Sequence, residues 1–162
     1  MNLPQPIGAE VNIDADADTV YELITDLPTL ASLSDEIATM EWRKESSVKP
    51  GAVFTGHNRN GARKWSTTCT VTDADSGRVF AFDVRHTVLP IAHWRYDIQP
   101  LDGGGCRVTE RTWDRRPRWF KQVAGLATGV KDRAAANTAH INSTLQRLKK
   151  AAETKETPPP TS

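Results

Sequence analysis

The sequence predicts an α+β fold: one antiparallel sheet held against one long C-terminal helix. Three observations carry this. About seven stretches between Glu10 and Trp113 alternate apolar and polar residues with period two, the pattern of half-buried strands. Short turn signals separate many of them, notably Pro50-Gly51, Asn60-Gly61 and Gly103-Gly104-Gly105. From Pro117 to about Ala152 the period changes to three or four, with Val123, Val130, Ala134, Ile141, Leu145 and Leu148 on one stripe.

Taken in order, residues 1–8 read as an irregular lead and Glu10–Ala15 as the first strand. Asp16 or Asp18 caps a helix through Thr19–Thr25, because an Asp side chain there accepts from a free N–H of the first turn. Pro28 ends that helix or opens a second short one through Leu30–Leu33. Strands follow from Ala38 with Met40 and Trp42 on one face, over Ala52–Asn58, and over Arg63–Thr72 with Trp65, Thr67, Cys69 and Val71 on one face. Asn60-Gly61 is the strongest hairpin dipeptide in the chain. Arg78–His86 places Phe80, Phe82, Val84 and His86 together. Pro90 falls in a connection, Ala92–Gln99 groups Trp94, Tyr96 and Ile98, and Cys106–Trp113 is the last strand.

Pro117 suits the first turn of the long helix, where a missing N–H costs nothing. Gly125 and Gly129 sit on one side of it, as close packing or as a wall kept low. Consecutive strands joined by short turns make a meander, and only the last helix is long enough to cover its face. This is a helix-grip architecture, with two short helices after the first strand. Residues 1–152 form one domain, and residues 153–162, with Pro158-Pro159-Pro160, a disordered tail.

Composition narrows the partners. The 162 residues carry a formal charge of +1, which argues against a nucleic-acid partner bound through phosphate neutralisation. No apolar run is long enough to span a bilayer, and the first residues lack the pattern of a signal peptide. The expected location is the cytoplasm, with Cys69 and Cys106 as free thiols. His57, His86, His93 and His140 show no metal-ligand spacing, and no GxSxG, phosphate loop or CxxC occurs. No metal or cofactor is expected, and a homodimer stays an option.

The stretches VNIDADADTVYELITDLPTLASL, PGAVFTGHNRNGARKWSTTCTV, RVFAFDV and HWRYDIQPLDGGGCRVTERTWD, with the final helix, resemble the polyketide cyclase/dehydrase and lipid-transport group of the START-like, birch-pollen-allergen-like superfamily (SRPBCC). The resemblance covers nearly all of residues 9–152. It implies an apolar cavity between sheet and long helix. It carries no catalytic signature, because the superfamily holds carriers, enzymes and regulators alike.

Strand parity then assigns the cavity walls to Phe54, Trp65, Cys69, Phe80, Phe82, Val84, Trp94, Tyr96 and Val108. The helix adds Phe120, Val123, Ala127 and Val130. Three polar residues share these faces. Asn58 is either a polar anchor or a turn cap. His86 points inward or sits half exposed at a strand end. Glu110 is a cavity acid or the ion-pair partner of Arg95 or Arg111. A carboxyl in an apolar pocket has its pKa raised by desolvation, so Glu110 with His86 is the candidate acid–base pair. Cys69 reads as a small buried hydrophobe. Arg111, Arg115, Arg116, Arg118 and Lys121, interleaved with Trp113 and Trp119, form either a solvated corner or a contact for anions. The leading functional reading is a binder of a hydrophobic small molecule: a lipid, a polyketide or an aromatic metabolite. The alternatives are a cyclase/dehydratase-like enzyme and a protein-interaction module.

Overall fold

A computed structural model of the chain describes residues 5–44, 47–120 and 132–156. Seven strands form one antiparallel sheet: β1 (Ile7–Ile13), β2 (Ile37–Trp42), β3 (Val53–Asn60), β4 (Arg63–Asp75), β5 (Val79–His86), β6 (Leu89–Pro100) and β7 (Cys106–Asp114). Their order across the sheet is β1-β7-β6-β5-β4-β3-β2. The meander is therefore continuous from β2 to β7, and β1 closes the far edge beside β7. Helices α1 (Ala17–Thr25) and α2 (Leu27–Ser32) carry the chain between the two edges. The long helix α3 (Arg133–Glu156) packs on β1, β7 and α1.

Local chemistry sets the boundaries. Asp16 caps α1, its Oδ1 accepting from Thr19 N at 2.8 Å. Asp26 caps α2, with Pro28 in the first turn. Gly61 takes a positive φ in the β3–β4 turn, where Asn60 pairs with Arg63. Gly105 has φ +79°, and a Cβ there would lie 2.7 Å from the Ile13 carbonyl oxygen, so the β6–β7 turn closes against β1 only with glycine.

Several boundaries differ from the sequence reading, four of them with a clear physical cause. The first strand begins at Ile7, inside the expected lead, because Ile7 pairs with Thr112. Pro90 lies within β6 opposite Arg85, beside a register shift between Val84 and Arg85, the bulged setting that accommodates a strand proline. The long helix is not continuous from Pro117. Residues 118–120 are helical, but Asp132 is outside α3 and caps it, with Oδ1 accepting from Ala135 N at 3.0 Å and its carbonyl from Ala136 N at 3.1 Å. α3 also continues to Glu156, beyond the expected end at Ala152. There Lys149 Nζ donates to the Asn12 carbonyl at 2.9 Å, and Glu153 accepts from Asp14 N at 3.0 Å, which ties the helix end to β1.

The core lies at one end of the concave sheet face. Ile141, Leu145, Leu148 and Ala152 of α3 meet Ile13, Phe80, Ile98, Cys106 and Val108 in one buried cluster with Val20 and Ile24 of α1. Among the described residues, no helix is long and apolar enough to cross a membrane. Replacing Leu148, which is fully buried, by Ala should cost about 2–5 kcal/mol. Urea unfolding of the variant would measure it, and a loss within error would mean that the helix is not packed as described.

Candidate functional site

Each strand carries its inward residues along a gradient. On β4 these run Val71, Cys69, Thr67, Trp65; on β5, Phe80, Phe82, Val84, His86; on β6, Ile98, Tyr96, Trp94, Ala92; on β7, Val108, Glu110, Thr112, Asp114. The first of each series is buried in the core. Farther along, the described helices no longer fill the concavity, and a cavity of about 280 Å³ opens. Its walls include Cys69, Phe82, Val84, Trp94 and Tyr96, and Leu30, Ile37 and Met40 close the α2 side.

Glu110 sits at the closed end of this space. It is 2% exposed, beside Tyr96 on the neighbouring strand. The Tyr96 hydroxyl donates to Glu110 Oε1 at 2.7 Å, while Oε2 is buried without a hydrogen-bond partner among the described residues. Burial pushes the Glu110 pKa from an ordinary 4.5 up to about 8, against the opposing pull of the Tyr96 hydrogen bond. Tyr96 lies well above its ordinary value through burial, with the neighbouring carboxyl adding to the shift. Burial also pushes Cys69 up to about 12, so its thiol is not a nucleophile at neutral pH. At neutral pH the site therefore holds a neutral carboxylic acid, a neutral phenol and a neutral thiol.

Charge gathers elsewhere along the lining. Arg116 is held by Asp114 through Nε–Oδ1 at 3.0 Å and Nη2–Oδ2 at 2.8 Å. Arg133 Nη1 bonds both oxygens of Glu36, at 3.1 and 2.9 Å, with His140 Nε2 4.0 Å from the same carboxylate. Such charge-assisted pairs neutralise each cation in place.

The structure brings together Asn58, Trp65, Cys69, Phe82, Val84, Trp94, Tyr96, Phe120, His86 and Glu110 around the cavity. Phe54, Phe80 and Val108 do not line it. They are fully buried in the core, because parity fixes the face of a strand but not the distance along it at which the helices stop. Val123, Ala127 and Val130 lie outside the described residues. Asn58 caps no turn; its Nδ2 donates to Thr67 Oγ1 at 3.3 Å across β3 and β4. Glu110 is not the partner of Arg95 or Arg111, which both bind Asp97.

His86 and Glu110 are not an acid–base pair. Glu110 faces Tyr96, Tyr96 faces Phe80, and His86 lies six residues beyond Phe80 on β5. That is roughly 20 Å along the strand. The exposed His86 instead has its Nδ1 2.9 Å from the Ser66 carbonyl oxygen. Residues added by the structure include Thr67, Ile91, Arg116, Arg133, Asn137, His140 and Thr144. Thr67 was accessible to parity between Trp65 and Cys69; the α3 residues were not, because their facing depends on where that helix starts. Among the described residues no cluster of three His, Cys, Asp or Glu side chains could hold a metal ion.

A family model described as "Polyketide cyclase / dehydrase and lipid transport" matches residues 7–153. No curated protein sequence matches the chain significantly. The solution structure of a polyketide-cyclase-like protein from Corynebacterium glutamicum is 24% identical, with a TM-score of 0.64 over 95% of this chain and 96% of that one. An aromatase/cyclase, Zhui, from a Streptomyces species is 19% identical, with a TM-score of 0.69 over 94% and 96%. The ginseng major latex-like protein 151, from Panax ginseng, is 13% identical, with a TM-score of 0.66 over 93% and 99%. These likenesses establish the fold.

The raised pKa of Glu110 has a consequence for stability. The folded chain holds this proton more tightly than the unfolded chain, so the contribution is complete below about pH 4.5 and is lost as pH rises through about 8. Between those limits the loss approaches about 1.4 kcal/mol per pH unit. Thermal melts across that window should show a falling stability in the wild type and a flatter profile in Glu110→Gln. Parallel profiles would place the Glu110 pKa near its ordinary value.

Proposed function

The chain belongs to the polyketide cyclase/dehydrase and lipid-transport family, and from that premise we propose that it binds one apolar small molecule in the cavity between the sheet and the helices. The observation that carries this reading is the juxtaposition of apolar walls with a buried, half-satisfied carboxylic acid. A core built only for stability would fill that space, because each methylene removed from water contributes about 0.8 kcal/mol. Here Phe82, Val84 and Trp94 surround about 280 Å³ instead. A ligand that covered them would gain about 25 cal/mol per Å² of apolar area, less the entropy it loses on binding. The lipid, polyketide and aromatic-metabolite classes all satisfy this description.

One observation favours a second reading, an enzyme of the cyclase/dehydratase kind. A carboxylic acid neutral near pH 7 inside an apolar site is a proton donor poised for general acid catalysis. Such an enzyme would hold a reactive chain in one conformation while Glu110 protonates a developing alkoxide or leaving group.

Both readings require the cavity to be filled by ligand. Phenylnaphthylamine, a neutral apolar dye, should brighten on saturable binding to the purified chain. Ala92→Phe places a ring in the space that Ala92 lines and should weaken that binding at least about tenfold, while the melting temperature moves by only a few degrees. Absence of saturable binding to the wild type would overturn the reading.

A further inference from the structure

We propose that Glu110 determines the chemical class of the ligand: its Oε2 hydroxyl donates a hydrogen bond to a carbonyl oxygen, so that the cavity selects uncharged apolar carbonyl compounds such as ketones, esters and quinones. This rests on the ligand-binding reading above and adds to it a recognised functional group.

The two oxygens of Glu110 are not equivalent. Oε1 is taken by a donor, the Tyr96 hydroxyl, and so serves as the acceptor of the carboxyl group. The proton of the neutral acid then belongs on Oε2, the oxygen that is buried and without a partner among the described residues. A buried donor left unmade is costly, and a native structure rarely leaves one without purpose. Glu110 lines the cavity with Tyr96, Trp94 and Phe82, so a partner for Oε2 comes from the cavity's contents.

The surroundings say what that partner is. A carbonyl oxygen only accepts, and one hydrogen bond from Oε2 satisfies it. An alcohol would bring its own proton as well, which needs a further acceptor, whereas a carbonyl leaves no donor of its own to be met. A carboxylate would need a cation. Among the described residues, the arginines that line the cavity, Arg116 and Arg133, are already bound by Asp114 and Glu36. An ion bound among apolar walls without such a partner pays heavily in desolvation. The upward-shifted pKa of Glu110 agrees with the donor role.

The test compares acetylnaphthalene with ethylnaphthalene, a pair nearly equal in shape, by displacement of phenylnaphthylamine from the purified chain. Affinities are corrected for partition of each probe between water and cyclohexane. The ketone should then bind more tightly by at least about tenfold, the lower bound set by the net worth of one buried hydrogen bond. Glu110→Leu should abolish the ratio, and Glu110→Gln, whose side-chain amide still donates, should retain most of it. The infrared carbonyl stretch of bound acetylnaphthalene should lie below its position in cyclohexane. That reading needs only the wild type and stands if Glu110→Leu fails to fold. Equal affinities in the wild type, or an unshifted stretch, would overturn the carbonyl assignment while leaving the cavity a binding site. Tighter binding of naphthylethylamine than of the ketone would show that Glu110 takes a cation, and would overturn it too. If neither naphthalene binds, the ligand-binding reading falls and this inference with it.

Discussion

The fold depends on a mismatch of coverage. One concave sheet face runs the length of β3 to β7, and α1 with α3 fills only part of it. Ile141, Leu145, Leu148 and Ala152 seat α3 on the end of the sheet where Phe80, Ile98 and Val108 point inward. The clamp from Lys149 and Glu153 to β1 fixes how far along the sheet the helix sits. Because that register is set by packing at one end, the first turns of α3, with Arg133, Asn137 and His140, stand over the other part of the face without filling the space beneath. The cavity is thus a consequence of where the core stops, not a separate construction.

Glu110 marks that boundary. Along β7, Val108 belongs to the core and Glu110 is the next inward residue, where the packed region gives way to open space. Two effects compete for its proton. The Tyr96 hydrogen bond favours the carboxylate, as hydrogen bonds to charged groups do. Desolvation opposes it, and desolvation wins because a single neutral donor cannot replace the several waters that an exposed carboxylate would bind. The arginines do not alter the balance, because Arg95 and Arg111 are outward and committed to Asp97, and Arg116 to Asp114.

Much of this arrangement was legible in the chain. Period two identified the inward set on each strand, and the single helix-period stretch near the end supplied the element that covers them. What parity cannot report is register between elements. Phe80 and Phe82 look alike in sequence, yet one lies in the core and the other on the cavity, because only the position of α3 separates them. Glu110 and His86 share a face but belong to opposite ends of it. The Tyr96–Glu110 contact depends on the pairing of β6 with β7, which the length of the glycine turn at residues 101–105 sets, and no residue of either strand announces it. Asp132 reads as a surface charge in a helical stripe, and its capping role emerges only when the backbone before Arg133 departs from the helix.

The same geometry bears on carriage against turnover. An acid–base cycle that moves a proton between two positions of a substrate works best with a donor and a separate acceptor near the reacting atoms. Glu110 supplies the donor. Tyr96, which hydrogen-bonds it, is shifted upward and neutral at physiological pH, so it does not serve as a base. His86, the imidazole on the same sheet face, is far along β5 with one ring nitrogen beside the Ser66 carbonyl. Among the described residues, the one group in hydrogen-bond contact with the Glu110 carboxyl is a neutral phenol, so this corner of the cavity is built to hold a carbonyl, and that is the physical reason for placing ligand binding ahead of catalysis.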